Sequence, residues 1–175
     1  MQLMEGLSVH FEWEGDEFRH PLTCFESIES KALAVLPATP TLEQIVRFEQ
    51  LLLGLPQTEG EAIWHFAPGM AAREGRMPGK TFATGRRHRT EHLCVLAKGD
   101  ITVWTEGGMK RLQAPAVIKS LPGAKRVAYM HTDVVWITFH ATDETDPQKL
   151  IDELTYPEPS RIAGQTTSLL DGSAA

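Results

Sequence analysis

The spacing of hydrophobic and polar positions changes character near residue 60. Before that point, Leu42, Ile45, Val46, Leu52 and Leu53 recur at helical spacing. Thr41 with Gln44 three residues on has the form of a capping box, and Thr39-Pro40 offers another start. Gly54 and Pro56 stop the pattern. A helix over about 41–53 is predicted, packed on a sheet or presenting its apolar face to a partner. From Ala62 onward the apolar runs are short and turn signals frequent. Strands are predicted over Ala62–Phe66, Ala71–Met77, Leu93–Ala97, Ile101–Thr105, Met109–Gln113, Ala116–Lys119, Lys125–Met130 and Val134–His140. Pro68-Gly69, Pro78-Gly79, Lys98-Gly99, Glu106-Gly107-Gly108, Pro122-Gly123 and His131-Thr132-Asp133 supply the turns. Short strands at this spacing argue for a mainly-β sandwich or barrel and against βαβ units.

Asp146-Pro147 then opens a second helix, Gln148–Leu154, with Asp as cap and Pro in the first turn. The ends are less regular. Val9, Phe11 and Trp13 alternate with polar residues and suggest a short strand, and Ser27–Leu36 reads as a strand or a helical turn. Residues 156–175, rich in Pro, Ser, Thr, Gly and Ala, read as a mobile tail. The organisation expected is an N-terminal extension over 1–60, a barrel core over 61–141, a helix over 146–155 and the tail.

A chain of 175 residues suffices for one domain with a full core. The net charge of −6 gives no global attraction to nucleic acid or anionic membrane, and no nucleic-acid motif is present. The charge is uneven, however: Arg73, Arg76, Lys80, Arg86, Arg87, Arg89 and Lys98 fall in one span. That run reads either as a solvated basic face or as a source of cations for a pocket. No apolar run approaches the roughly 20 residues of a membrane span, and the acidic N-terminus lacks a signal-peptide pattern. A bacterial cytoplasm is the expected location. The two cysteines, Cys24 and Cys94, are far apart and form no metal-type pair.

The candidate chemistry sits in the stretch Gly85–Gly99. His92, Cys94 and Leu96 share one face of a strand, and His88 lies across a bend from His92. Neutral imidazoles suit zinc, iron, nickel or copper. A site needs a third donor, with Glu91 or His131 as candidates, and His140 can face either side of its strand. Arg86 and Arg126, if inward, place two permanent charges in a barrel mouth. Such charges call for an internal acid such as Glu91 or for a bound anion, which a guanidinium grips bidentately. Trp104, Trp136 and Tyr129 are expected in the core or the pocket wall, with Trp104 and Tyr129 as candidate ligand contacts.

The order of ligand-bearing bend, apolar strand, Gly turn, hairpin, Pro-Gly turn and strand resembles the cupin superfamily. Its double-stranded β-helix barrel carries an His-X-His pair, a Glu and a Gly in a first motif, and a Gly, an His and an Asn in a second. Anchored on Gly99, the family's Glu falls on His92 and its His-X-His pair on Arg86 and His88. Anchored on Gly123, the second motif places Arg126 at the His and Met130 at the Asn. The stretch GRRHRTEHLCVLAKGDITVWTEGGMKRLQAPA, followed by PGAKRVAYMHTD, is similar to small cupin-like proteins of tailed phages and prophages. The resemblance implies a mainly-β cupin-type jelly roll with an N-terminal helical extension and a short C-terminal helix. It also implies a homodimer and a divalent transition metal (zinc, iron, nickel or manganese).

Three functions fit these features. One is a binding protein holding a small anionic ligand in the barrel, in a phage-encoded accessory role. The second is a metal-dependent oxygenase or isomerase using His88 and His92. The third is a structural or assembly protein of a virion.

Overall fold

The computed structural model describes residues 7–9, 36–55, 57–58 and 60–157. The alternation through Phe11 and Trp13, almost all of the Ser27–Leu36 segment, Cys24 and the tail from 158 onward lie outside the described residues.

The described chain is mainly β, with two five-stranded antiparallel sheets and two helices. A short strand β1 (Leu7–Val9) and a helix α1 (Leu42–Leu53) precede nine further strands. These are β2 (Glu61–Ala67), β3 (Met70–Met77), β4 (Thr81–Thr84), β5 (His92–Lys98), β6 (Asp100–Thr105), β7 (Gly108–Gln113), β8 (Ala116–Ser120), β9 (Val127–Met130) and β10 (Val134–Ala141). Helix α2 (Pro147–Leu154) follows. One sheet runs β1-β4-β9-β6-β7 and the other β2-β3-β10-β5-β8.

The pairing explains the architecture. Taken outward from the β6–β7 hairpin, β5 pairs with β8, β4 with β9 and β3 with β10. The chain from β3 to β10 is therefore one long antiparallel ribbon, wound so that successive pairs alternate between the sheets. Contacts of β6 with β9 and of β5 with β10 lock the winding. This is a jelly-roll barrel. Gly99 shows how strict one turn is. At φ +99 it is in the left-handed region, and a Cβ there would collide with the Asp133 carbonyl and the Val134 side chain.

The barrel interior is filled by Leu96, Ile101, Val103, Met130 and Val134. The opposite face of the first sheet carries Phe82, Trp104, Val127 and Tyr129, which α1 covers with Ile45, Phe48 and Leu52. Strands β4, β6 and β9 are thus buried on both faces, which removes the polar–apolar alternation of a half-exposed strand. Thr41 caps α1, its hydroxyl accepting from the Gln44 amide while the Gln44 side chain accepts from the Thr41 amide.

One polar contact runs through this core. Glu49 of α1 and Lys125, both fully buried, form an ion pair at 2.9 Å, and the Thr84 hydroxyl donates to the same carboxylate oxygen at 2.7 Å. A lost partner here leaves a charge stranded away from water. At the other end, α2 is capped by Asp146 and seats Leu150 and Leu154 against Ala71 and Trp64.

Strand β4 had no separate place in the sequence reading. Its four residues, Thr-Phe-Ala-Thr, are too few to show a period, and burial on both sides removes the alternation that would have revealed it.

Candidate functional site

Strand register brings the site together. On β5, His92, Cys94 and Leu96 are buried while Leu93 points outward. Strand β10 lies antiparallel beside it, with Thr138 opposite Cys94 and Phe139 opposite Leu93. One step further along the same register, His140 comes beside His92. The third imidazole, His88, arrives from the loop between β4 and β5. The ring centroids are 4.3 Å apart for His88–His92 and 5.0 Å for both His88–His140 and His92–His140. One ligand nitrogen from each ring lies within 4.8 Å of the others.

Hydrogen bonding leaves one nitrogen of each ring idle. His92 Nδ1 sits 3.0 Å from the Thr90 carbonyl, which can only accept, so Nδ1 carries the proton and Nε2 keeps its lone pair. His92 Nε2, His88 Nδ1 and His140 Nδ1 are all buried without a hydrogen-bond partner. Buried polar atoms are rarely left so, and one on each of three clustered rings points to a shared ligand.

Electrostatics keep the rings neutral. Burial, followed by the neighbouring His92, His140, Arg126 and Arg73 charges, pushes the His88 pKa down to about 3. Burial, then His92 and Arg73, pushes His140 down to about 4. Burial lowers His92 as well, opposed by the Thr90 carbonyl and reinforced by Arg126. Neutral imidazole is the form that binds metal. The donor set fits a divalent transition ion.

Beside the trio opens a cavity of about 130 Å³. Its walls combine the apolar Ile101, Val103, Met130 and Val134 with Arg73, Arg86 and Arg126. Arg126 is buried enough that its pKa is lowered, and the group acting on it is the Cys94 thiol rather than a carboxylate. Arg86 has its Nε buried without a hydrogen-bond partner. Cys94 is buried, and burial pushes its thiol pKa up despite Arg126 nearby.

The structure therefore brings His88, His92, Arg86 and Arg126 to one cavity, adds Arg73 to its wall, and sets His140 beside the two imidazoles. It separates the other sequence candidates. Glu91 is exposed and pairs with Lys119 at 3.3 Å, so it neither joins the imidazoles nor neutralises the arginines. His131 lies with Nε2 2.8 Å from the Thr102 hydroxyl and its ring against Tyr129, away from the trio. Trp104 and Tyr129 are not pocket wall. Each is one residue out of phase with the inward Val103, Ala128 and Met130, so they face α1, and Trp136 holds the aromatic place in the cavity. His140 escaped the sequence reading because its role depends on β10 lying beside β5. The alternation Trp136, Thr138, His140 was the available signal.

No family model matches the chain, and no curated protein matches it. The solved structures similar to it are repeatedly cupin proteins. A cupin 2 domain-containing protein from Halorhodospira halophila is 11% identical, with 66% of this chain and 83% of that one covered and a TM-score of 0.44. The EutQ protein of Clostridium difficile is 13% identical over 53% of this chain and 75% of its own, at a TM-score of 0.43. A cupin-like protein from Thermotoga maritima is 9% identical over 52% and 73%, at 0.41. At this distance they assign nothing to the site, whose chemistry is carried by its own residues.

Proposed function

We propose that the barrel binds a divalent transition metal through His88, His92 and His140, and holds a small anionic ligand beside it on Arg86 and Arg126. The observation that carries this reading is a cluster of three imidazoles, each with one buried nitrogen that has no hydrogen-bond partner. A bound ion would supply a Lewis-acid centre at the barrel mouth. The arginines offer a carboxylate or phosphate two planar donors, and the apolar wall from Ile101 to Val134 suits a ligand with a hydrocarbon body. Such a site serves either a binding protein or an oxygenase- or isomerase-type cupin enzyme. A barrel acting only as a virion scaffold has no use for buried cations around a cavity, which disfavours that alternative.

The phage or prophage setting, a cytoplasmic location and a homodimer belong to the same reading. The phage setting rests on the resemblance of the 85–133 stretch to cupin-like phage proteins, the homodimer on the resemblance to cupins, and the location on the want of a signal-peptide pattern or long apolar run in the sequence. Exposed Leu93, Val117 and Leu121 give the second sheet an apolar outer patch suited to pairing. Among the described residues no helix is long and apolar enough to cross a membrane.

The test is calorimetric titration of Zn(II) into chelator-stripped protein. Binding of one ion per chain is expected, weakened at least about 100-fold in His140→Ala, since a third of the donor set is lost. Absence of zinc binding, or equal binding by His140→Ala, refutes the reading.

A further inference from the structure

Two of the three imidazoles are held by strand ladders, and the third is not. His92 pairs with Ser120 in β5–β8, and His140 with Ala71 in β10–β3. His88 lies in the connection between β4 and β5, outside any named strand. On the barrel side, the Gly123 amide donates to the His88 carbonyl at 2.8 Å. On the other side the contacts come from the chain just after α2. The Arg89 amide donates to the Leu154 carbonyl at 2.8 Å, and the Tyr156 amide to the Arg87 carbonyl at 2.9 Å. These bonds flank an isolated antiparallel bridge between His88 and Thr155. Arg89 Nε donates to the Thr155 carbonyl at 2.8 Å. The Tyr156 ring receives two cations, with the Arg87 and Arg89 guanidinium carbons 5.4 and 4.9 Å from its centroid.

We infer that Thr155 and Tyr156 form a strap that positions His88 over the His92–His140 pair, making the metal affinity of the barrel depend on how the end of α2 is docked. This rests on the metal reading above. The strap has a fixed anchor. Leu150 and Leu154 pack on Ala71, the residue that pairs with His140, so the element holding His88 is seated on the strand pair that presents His140. Residue 156, the start of the expected mobile tail, is instead part of this clamp. Arg87 and Arg89, which looked like members of a solvated basic face, meet the tyrosine ring here.

The strap sets geometry and touches no ligand, so Tyr156 is a positioning residue. Holding an imidazole in place from outside the ligand set is commonly worth about 10–100-fold in metal affinity. The experiment uses Co(II) as the probe, with its visible absorption reporting ligand number, on the wild type, Tyr156→Ala and Tyr156→Phe. Tyr156→Ala is expected to lose about 10–100-fold in Co(II) affinity and to shift the visible band toward a more water-rich coordination. Tyr156→Phe keeps the ring under both arginines and should retain both properties. In parallel, ring-to-ring nuclear Overhauser contacts are read in metal-free protein. The His88 contacts to His92 and His140 should weaken in Tyr156→Ala while the His92–His140 contact persists, which separates loss of the strap from loss of the fold. If Tyr156→Ala keeps the His88 contacts, or binds Co(II) as the wild type does, the strap is refuted. If wild-type protein takes up no Co(II), the metal reading falls and with it the coupling to affinity, while the metal-free contacts still decide whether the strap places His88.

Discussion

Acid should destabilise the metal-free protein before its carboxylates are protonated, and the histidine trio should be the cause. The His88 and His140 pKa values lie at about 3 and about 4 in the fold, against 6.5 when exposed. Both are depressed, so each contributes stability that is full above 6.5 and is lost as pH falls, because the unfolded chain takes up protons that the fold refuses. Between pH 7 and pH 5 the linkage amounts to about 2 kcal/mol for each group, or about 4 for the pair. Partial exposure of the His88 ring, and the screening that the adjoining cavity allows, reduces this to about 2 kcal/mol. His92 acts in the same direction. Arg73 and Arg126, which face the trio from β3 and from the start of β9, stay charged throughout and do not alter the slope. The carboxylates with lowered pKa, Glu74, Asp100 and Glu144, have ordinary values of 4.5 or below and enter only at lower pH. The assay is urea unfolding of chelator-treated protein at pH 7 and pH 5, with His88→Gln/His140→Gln as comparator. A fall of about 2 kcal/mol in the wild type, with most of it abolished in the double variant, is expected. Equal stability at the two pH values, or an equal fall in the double variant, refutes the assignment of neutral buried imidazoles.

Two further outcomes follow from the buried cations. Lys125→Met leaves the Glu49 carboxylate buried beside the Thr84 hydroxyl, and should cost about 3–5 kcal/mol in urea unfolding, largely recovered by adding Glu49→Leu. A cost below about 1 kcal/mol for the single change would show that the pair is not the core tie it resembles. Arg126→Met removes a desolvated charge with no carboxylate acting on it among the described residues, so it should stabilise the ligand-free protein by about 1–3 kcal/mol and abolish the rise in melting temperature produced by inorganic phosphate. A phosphate-induced rise that survives the change would place the anion elsewhere.

How much of this was legible beforehand depended on the range of the interaction that fixes each feature. The jelly roll was legible because its determinants are local: turn residues at Pro68-Gly69, Gly99 and Gly107-Gly108, and short apolar runs between them. The cap of α1 was legible for the same reason, since Thr41 and Gln44 are one turn apart. His88 and His92 were legible as a pair because four residues separate them. His140 was not, because it lies 48 positions from His92 in sequence and reaches it only through the β5–β10 ladder. Trp104 and Tyr129 are in the core, one of the two places expected of them, but on the face away from the cavity, for a subtler reason. A strand's two faces are equivalent in sequence when both are apolar, and α1 makes them so by covering the outer one. Glu49 went unremarked because an acid in an amphipathic helix ordinarily faces solvent, and only Lys125, 76 residues away, changes that expectation.

The arrangement of charges bears on what the cavity accepts. Three imidazoles are held neutral partly by the arginines around them, since Arg126 and Arg73 both lower the His88 pKa. Arg126 is costly where it stands, and neither Glu91 nor the carboxylate of Glu49 offsets it. A divalent ion entering the trio would add more positive charge to the same space. An anion drawn to Arg86 and Arg126 opposes that charge, so each occupant lowers the cost of the other. Metal and anion should therefore bind with positive coupling, a reciprocal effect by thermodynamic necessity. The barrel is built less as two separate sites than as one positively charged cavity, in which no carboxylate among the described residues acts on Arg126 and a ligand can bring one.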